Sequence, residues 1–133
     1  MRELVRQAVK NPAFRDMALG FSDDNAIDRW IRQHVYYVVK PFQILVTPLR
    51  MLEDIETHGF TTGNCADSAM LVAAIFKVRG KDVQFEAIQT AQDRQGFSHV
   101  YTRVFDAYGN RIYDATVMPG TKYKFIRFMV QPL

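Results

Sequence analysis

The chain has 133 residues, of which 48% are apolar and 23% are charged, and these proportions are typical of a globular protein with one hydrophobic core. They argue against a disordered or collagen-like chain, and the length predicts a single domain over residues 1–133. The formal net charge is +3, but the 17 lysine and arginine residues are scattered among 14 acids, so the charge predicts a solvated surface and argues against nucleic acid as a partner.

Short helices are predicted in the first half of the chain. Apolar residues recur at helical spacing on both sides of Asn11-Pro12, which predicts two small helices. Asp23 or Asp24 can cap a third helix. Its expected face is Ile27, Trp30, Ile31, His34 and Val35. Thr47-Pro48 places a capping residue before a proline at the first helical position, and predicts a fourth helix through Ile55.

The second half is predicted to contain one helix followed by strands. After an expected loop at His58–Asn64, the run Cys65–Arg79 is apolar and rich in alanine, and Gly80 can adopt the left-handed conformation that ends a helix. Asn64 and Asp67 can cap its first turn. Apolar and polar residues then alternate, which predicts half-buried strands. The alternating stretches are Val83–Ala87, His99–Val104, Arg111–Asp114 and the tail Lys122–Val130.

The compartment is predicted from the single cysteine and from the apolar runs. Cys65 has no partner for a disulfide within the chain. Met1–Gly20 lacks the basic stretch, apolar run and cleavage site of a secretory signal, and no apolar run approaches the length of a membrane span. We therefore expect a cytoplasmic protein without a membrane partner.

Three residue types needed for nucleophilic catalysis occur in a suggestive order. Cys65 lies in Gly63–Asp67, where a turn-rich loop gives way to a helix. Free N–H groups and the positive end of the helix dipole favour the thiolate, which is the nucleophilic form of cysteine. His99 and Asp114 follow on two successive predicted strands, so a carboxylate can hold the imidazole in the required tautomer. These residues predict a Cys-His-Asp triad.

A developing oxyanion needs hydrogen-bond donors that are already in place. The backbone N–H of Cys65 is a natural first donor, because it lies at the start of a helix. Spacing alone does not identify the second donor, and Gln43, Trp30 and Tyr37 are all candidates.

Two segments resemble motifs of the transglutaminase-like superfamily. Gly63–Ala69 is similar to the start of its G-x-C-x-D-x-A-x-L-x-A-A…G segment. The later matching positions are Leu71, Ala73, Ala74, Gly80 and Val83. His99–Tyr101 and Asp114–Thr116 resemble its H-x-W/Y…D-x-T strands. The upstream segments Trp30–Tyr37 and Thr47–Asp54 also look like bacterial and bacteriophage members.

The resemblance spans about residues 25–118 and implies an α+β fold with a papain/transglutaminase-like core. In that fold N-terminal helices accompany a central helix, which carries the cysteine and packs on an antiparallel sheet. The implied activity is that of a thiol protease or amidase, which hydrolyses a peptide or isopeptide bond through an acyl-enzyme. Transfer of a glutamine acyl group to an amine is the implied alternative. A peptide or protein is the implied substrate.

The resemblance also implies a role for each residue of the triad and requires no cofactor or metal. Carried over by position, Cys65 is the nucleophile, His99 is the general base and acid, and Asp114 orients the imidazole. The chain departs from the pattern at Tyr101, where tryptophan is frequent, and at Arg103, where an acid often occurs.

Other interpretations remain open at the level of sequence. Cys65, His99 and a carboxylate are legitimate zinc ligands, although no C-x-x-C or H-x-x-x-H spacing accompanies them. His34 is interpreted as part of a helix face, His58 as an exposed loop residue and Asp67 as a structural cap. Aromatic residues at strand positions indicate a core rather than a base-stacking platform. These aromatic residues are Phe85, Phe105, Phe125 and Phe128.

The rival hypothesis from another class is a non-enzymatic module, such as a virion-assembly protein, that keeps the fold without turnover. The triad favours the enzyme, whereas the compactness of the chain leaves little sequence for substrate-binding loops and favours the module. Either protein is expected in a bacterial cell or a phage-infected host. The sequence does not predict the oligomeric state.

Overall fold

Helices form most of the first half of the chain, and four antiparallel strands lie in the second half. The computed structural model describes residues 1–38, 44–89, 99–117 and 127–133. The elements in chain order are α1 (Arg2–Lys10), α2 (Pro12–Leu19), α3 (Asp24–His34), β1 (Val35–Tyr37), α4 (Pro48–His58), β2 (Thr61–Gly63), α5 (Cys65–Val78), β3 (Asp82–Gln89), β4 (His99–Asp106), β5 (Gly109–Tyr113) and β6 (Arg127–Pro132). The predicted α+β class is confirmed. In the described part of the chain, no helix is long and apolar enough to cross a membrane.

The helix boundaries coincide with the capping signals in the sequence. The Asp23 side chain accepts a hydrogen bond from the N–H of Ala26 at the start of α3. The Thr47 side chain does the same at the start of α4, where Pro48 occupies the first helical position. Gly80 follows the end of α5 with a φ of 81°, so it provides the predicted left-handed residue.

The larger sheet has four strands in the order β5-β4-β3-β6, and every neighbouring pair is antiparallel. The turn after Asp106 joins β4 directly to β5, as the sequence predicts. The tail strand β6 lies at one edge and pairs with β3. Residues 122–126 of the predicted tail strand, and Phe125 with them, lie outside the described residues.

A small parallel sheet differs from the prediction. β1 pairs with β2, with Val35 opposite Thr61 and Tyr37 opposite Gly63. Val35 therefore begins a strand instead of extending the face of α3, and the predicted loop His58–Asn64 contains the end of α4 and all of β2. Such short strands carry no periodicity of their own, because pairing with a distant segment stabilises them. The connection between them contains α4, as a parallel pair requires a crossover.

The core surrounds α5, which packs against α1, α2 and α4 on one side and against β3 and β4 on the other. A helix that is apolar on all faces is buried on all faces. Its largest fully buried side chains are Met70, Leu71, Val72, Ile75 and Phe76. The Arg79 side chain donates to the carbonyl oxygens of Ala18 and Phe21, at 3.0 and 3.1 Å, and so attaches the end of α2 to α5. These contacts hold the first residue of α5 in place relative to the sheet.

The prediction of half-buried strands is wrong for part of β3 and β4. Phe85 lies opposite Thr102 on the core side, but Glu86 and Tyr101, which lie opposite each other on the other face, are also buried. The Glu86 carboxylate accepts two hydrogen bonds from Arg103, at 2.6 and 3.0 Å. Burial raises the pKa of Glu86, but the hydrogen bonds from Arg103, Gln84 and Tyr101 outweigh burial and lower it. Arg103, where the family motif often has an acid, thus pairs with an acid on the neighbouring strand.

Candidate active site

Cys65 is the first residue of α5, and a reciprocal cap fixes the start of that helix. The Asn64 side chain accepts from the N–H of Asp67 at 3.0 Å, and the Asp67 carboxylate accepts from the N–H of Asn64 at 3.0 Å. The N–H groups of the first helical turn have no carbonyl partner within the helix. Cys65 therefore lies where N–H groups point towards a thiolate, as the sequence predicts.

Asp67 also attaches a preceding segment of the chain to this helix. Its side chain is buried, and the carboxylate accepts a hydrogen bond from the N–H of Val46 at 2.8 Å. Gly63 allows the close approach, because an added Cβ would lie 2.9 Å from both the Asp67 Cβ and the Met51 Cε. The interpretation of Asp67 as a structural cap is confirmed, and the residue contributes a second contact that local sequence did not indicate.

Replacing Asp67 with alanine is expected to lower the free energy of unfolding by about 2 to 4 kcal/mol. The variant leaves the N–H groups of Val46 and Asn64 without their acceptor and removes half of the capping box. Urea denaturation measures the change, with Glu53→Ala on the exposed face of α4 as the control, for which about 0.5 kcal/mol or less is expected. A loss as small as that of the control would contradict the role given to Asp67.

His99 and Asp114 meet because they lie on adjacent antiparallel strands. His99 begins β4, and Asp114 follows the last residue of β5. The His99 Nε2 is 2.5 Å from the Asp114 Oδ2. The other carboxylate oxygen accepts from the backbone N–H and the hydroxyl of Thr116, at 3.0 and 2.6 Å. The Asp114 side chain is 5% exposed, so its orientation is determined by protein contacts rather than by water.

The Cys65 thiol is hydrogen-bonded to the His99 side chain and to the backbone N–H groups of Val100 and Ala66. Since Asp114 occupies Nε2 of His99, the contact with Cys65 falls to Nδ1. Burial raises the pKa of the thiol, but these hydrogen bonds outweigh burial and lower it from its ordinary value. The three side chains are therefore in the order predicted for a triad.

The pKa of the His99 imidazole shifts in the opposite direction to that of the Cys65 thiol. Burial lowers the pKa of His99, but its hydrogen bonds to Asp114 and Cys65 outweigh burial and raise the pKa to about 9. The contacts between Cys65 and His99 thus favour a thiolate beside an imidazolium over two neutral side chains. This pair is lost at low pH when the thiolate gains a proton, and at high pH when His99 loses one.

Of the candidates for the second oxyanion donor, Tyr37 interacts electrostatically with the thiol. Burial raises the pKa of Tyr37, and the negative charges of Cys65 and Asp114 raise it further, so the hydroxyl lies within electrostatic range of both groups on a residue that is 54% exposed. Trp30 packs instead against Phe21 and the ring of His34, with ring centroids 5.5 and 5.3 Å apart. Gln43 lies outside the described residues.

The arrangement does not suit a zinc ion. Asp114 binds one nitrogen of the His99 ring and Cys65 contacts the other, so the three groups do not converge on a common point. Within the described ranges no three His, Cys, Asp or Glu side chains are arranged to hold a metal.

The other predicted residues lie away from this site. His34 is the last residue of α3, and its Nδ1 is 2.7 Å from the Trp30 carbonyl oxygen, in keeping with a helix face. His58 is exposed as predicted, but it ends α4 instead of lying in a loop. Phe85 is in the core and Phe105 is partly buried, while the side chain of Phe128 lies outside the described residues.

Sequence reasoning missed Arg32, which contacts the backbone of Asp114. The two residues are 82 positions apart, and nothing in the local pattern around Arg32 distinguishes it from other helix-surface arginines.

Comparisons with protein-family models, curated proteins and solved structures returned no match. Function is therefore inferred from the geometry of the site and from the resemblance of the two motifs.

Proposed function

We propose that the protein is a transglutaminase-like cysteine hydrolase, which cleaves a peptide or isopeptide amide bond through a thiol acyl-enzyme. The observation that carries this proposal is the continuous chain of contacts from Cys65 through His99 to Asp114, with 2.5 Å between the His99 Nε2 and the Asp114 Oδ2. The order of helix and strands also supports a papain/transglutaminase-like core, because the cysteine begins a central helix that packs on an antiparallel sheet.

The first half of the reaction forms the acyl-enzyme. The Cys65 thiolate attacks the carbonyl carbon of the amide, and the electron pair of the C=O bond moves to the oxygen. When the tetrahedral intermediate collapses, the C–N bond breaks and the His99 imidazolium gives its proton to the departing amine. A thioester and a neutral imidazole remain. Asp114 keeps His99 in the tautomer that makes this transfer possible.

The second half releases the acyl group. Neutral His99 accepts a proton from water as the water oxygen attacks the thioester carbonyl, and the C–S bond then breaks to restore the thiolate and the imidazolium. If a primary amine replaces water, the same steps yield a new amide, which is the alternative of acyl transfer. The backbone N–H of Cys65 and the hydroxyl of Tyr37 are the donors proposed for the oxyanion in both halves.

The proposal is tested by incubating the protein with a mixed peptide library, with and without a primary amine, and identifying the products by mass. The Cys65→Ser variant is the control. New carboxyl termini or deamidated side chains indicate hydrolysis, whereas adducts of the amine indicate transfer. A wild-type protein that leaves every peptide unchanged would contradict the enzyme and favour the non-enzymatic module.

A further inference from the structure

The segment that carries Asp114 is attached to α3 by the side chain of Arg32. The Arg32 guanidinium donates to the Val117 carbonyl oxygen at 2.6 Å and to the Asp114 carbonyl oxygen at 3.0 Å. Its Nε forms an ion pair with Asp28, one helical turn earlier on α3, at 2.8 Å. All three contacts use different N–H groups of one planar cation, so they fix its position and orientation together.

These contacts bind the chain just beyond the end of β5. β5 ends at Tyr113, and residues 114–117 follow it without forming a strand. Within the described residues, both hydrogen bonds that Thr116 donates go to the Asp114 side chain of the same segment. Farther up the strand, Arg111 pairs with Asp24 at the start of α3, so β5 and its extension contact that helix at both ends.

We infer that Arg32 is a positioning residue, which holds the Asp114 carboxylate against the His99 imidazole by binding the backbone carbonyls of Asp114 and Val117. The inference depends on the triad in the proposed function. Asp28 orients the guanidinium by accepting a hydrogen bond from its Nε. Among the described residues, the charged and titratable groups around the His99–Asp114 pair include Cys65, Tyr37, Tyr101 and Arg32 itself. Within the described residues, the hydrogen bonds of Arg32 go to Asp28, Val117 and the Asp114 backbone. Its effect on His99 therefore passes through the position of the Asp114 carboxylate.

The test is an NMR titration of the His99 ring, which requires no substrate. Wild-type protein is expected to titrate at about 9, and Arg32→Met is expected to lower the His99 pKa by about 1, because a displaced carboxylate holds the imidazolium less firmly. Arg32→Lys keeps the positive charge but has no fork to bridge two carbonyls, so it is expected to lower the pKa by a similar amount. Circular dichroism establishes that each variant is folded.

Arg50→Met is the matched control. Arg50 forms the same kind of ion pair on a helix surface, with its Nε 2.9 Å from Asp54 across one turn of α4, but its hydrogen bonds in the described structure do not involve the Asp114 segment. Arg50→Met therefore removes an ion pair from a helix surface, as Arg32→Met does, but leaves the contacts of the Asp114 segment in place. The His99 pKa of this control is expected to equal that of the wild type.

The outcomes separate this inference from the proposed function. An unchanged His99 pKa in Arg32→Met overturns the inference, and a wild-type titration in Arg32→Lys overturns the requirement for the fork. A wild-type His99 that titrates near the ordinary value of about 6.5 removes both the triad and the role of Arg32. A raised pKa that falls only in the Arg32 variants, in a protein without amide hydrolysis, supports the inference while the proposed activity fails.

Discussion

Replacing Cys65 with serine is expected to reduce amide hydrolysis to background, with kcat/KM lower by roughly 10⁴-fold or more. A serine hydroxyl is much harder to deprotonate than a thiol, and the site is built to stabilise a thiolate. The hydrogen bonds from His99, Val100 and Ala66 lower the pKa of the thiol. They do not supply the stronger base that an alcohol would need. Product formation from the peptide library measures the loss.

The same substitution is expected to change the free energy of unfolding by about 1 kcal/mol or less. Serine is close to cysteine in volume, so no cavity forms, and its hydroxyl still accepts hydrogen bonds from the N–H groups at the start of α5. Urea denaturation of both proteins measures this difference. Activity that survives in a well-folded variant would show that Cys65 is not the nucleophile.

Both ends of α5 could be predicted because their signals are local. Asn64, Asp67 and Gly80 lie within a few residues of the boundaries that they define, so propensity and capping act on a single short segment. The pairing of His99 with Asp114 was also predictable, since a tight turn after Asp106 leaves the two strands little choice of register.

The parts that could not be predicted depend on contacts between distant segments. β1 and β2 have only three residues each, too few to show a strand pattern, and they form because Val35–Tyr37 pairs with Thr61–Gly63 across α4. Glu86 can be buried because Arg103, on the neighbouring strand, donates hydrogen bonds to its carboxylate. The contact of Arg32 with the Asp114 segment likewise joins α3 to a position beyond β5. None of these pairings has a signature in the spacing of neighbouring residues.

The polar groups of the site offset the effect of partial burial on the Cys65 thiol. An unpaired thiol in such surroundings would have a raised pKa and low reactivity, because burial disfavours the thiolate. Here His99 and two backbone N–H groups reverse that effect. Their arrangement requires α5 and β4 to meet, which the core beneath Cys65 maintains through the hydrogen bond from the Thr102 hydroxyl to the Ala69 carbonyl oxygen at 2.7 Å.

Replacing His99 with alanine is expected to slow alkylation of Cys65 at pH 6 by roughly tenfold to a hundredfold, because the thiolate loses its cationic partner and the pKa of the thiol rises. Amide hydrolysis is expected to fall by roughly 10²- to 10⁴-fold, since the variant lacks the imidazolium that protonates the departing amine. Iodoacetamide labelling across pH 5–10, followed by intact mass, measures the first effect and the peptide assay measures the second.

The pH dependence of activity and of Cys65 labelling distinguishes the wild type from His99→Ala. In the wild type the imidazolium is present below the His99 pKa of about 9, so activity is expected to rise with pH as the thiol ionises at its lowered pKa and to fall as pH passes through about 9. The stabilisation of the fold by the raised His99 pKa is also complete below the ordinary value and is lost as pH rises through about 9. In His99→Ala the labelling rate is expected to follow a single ionisation at the higher pKa of an unassisted thiol, without the enhanced reactivity of the wild type at pH 6. Labelling profiles that superimpose would show that the imidazole does not hold the thiolate, and that Cys65 depends on the backbone N–H groups alone.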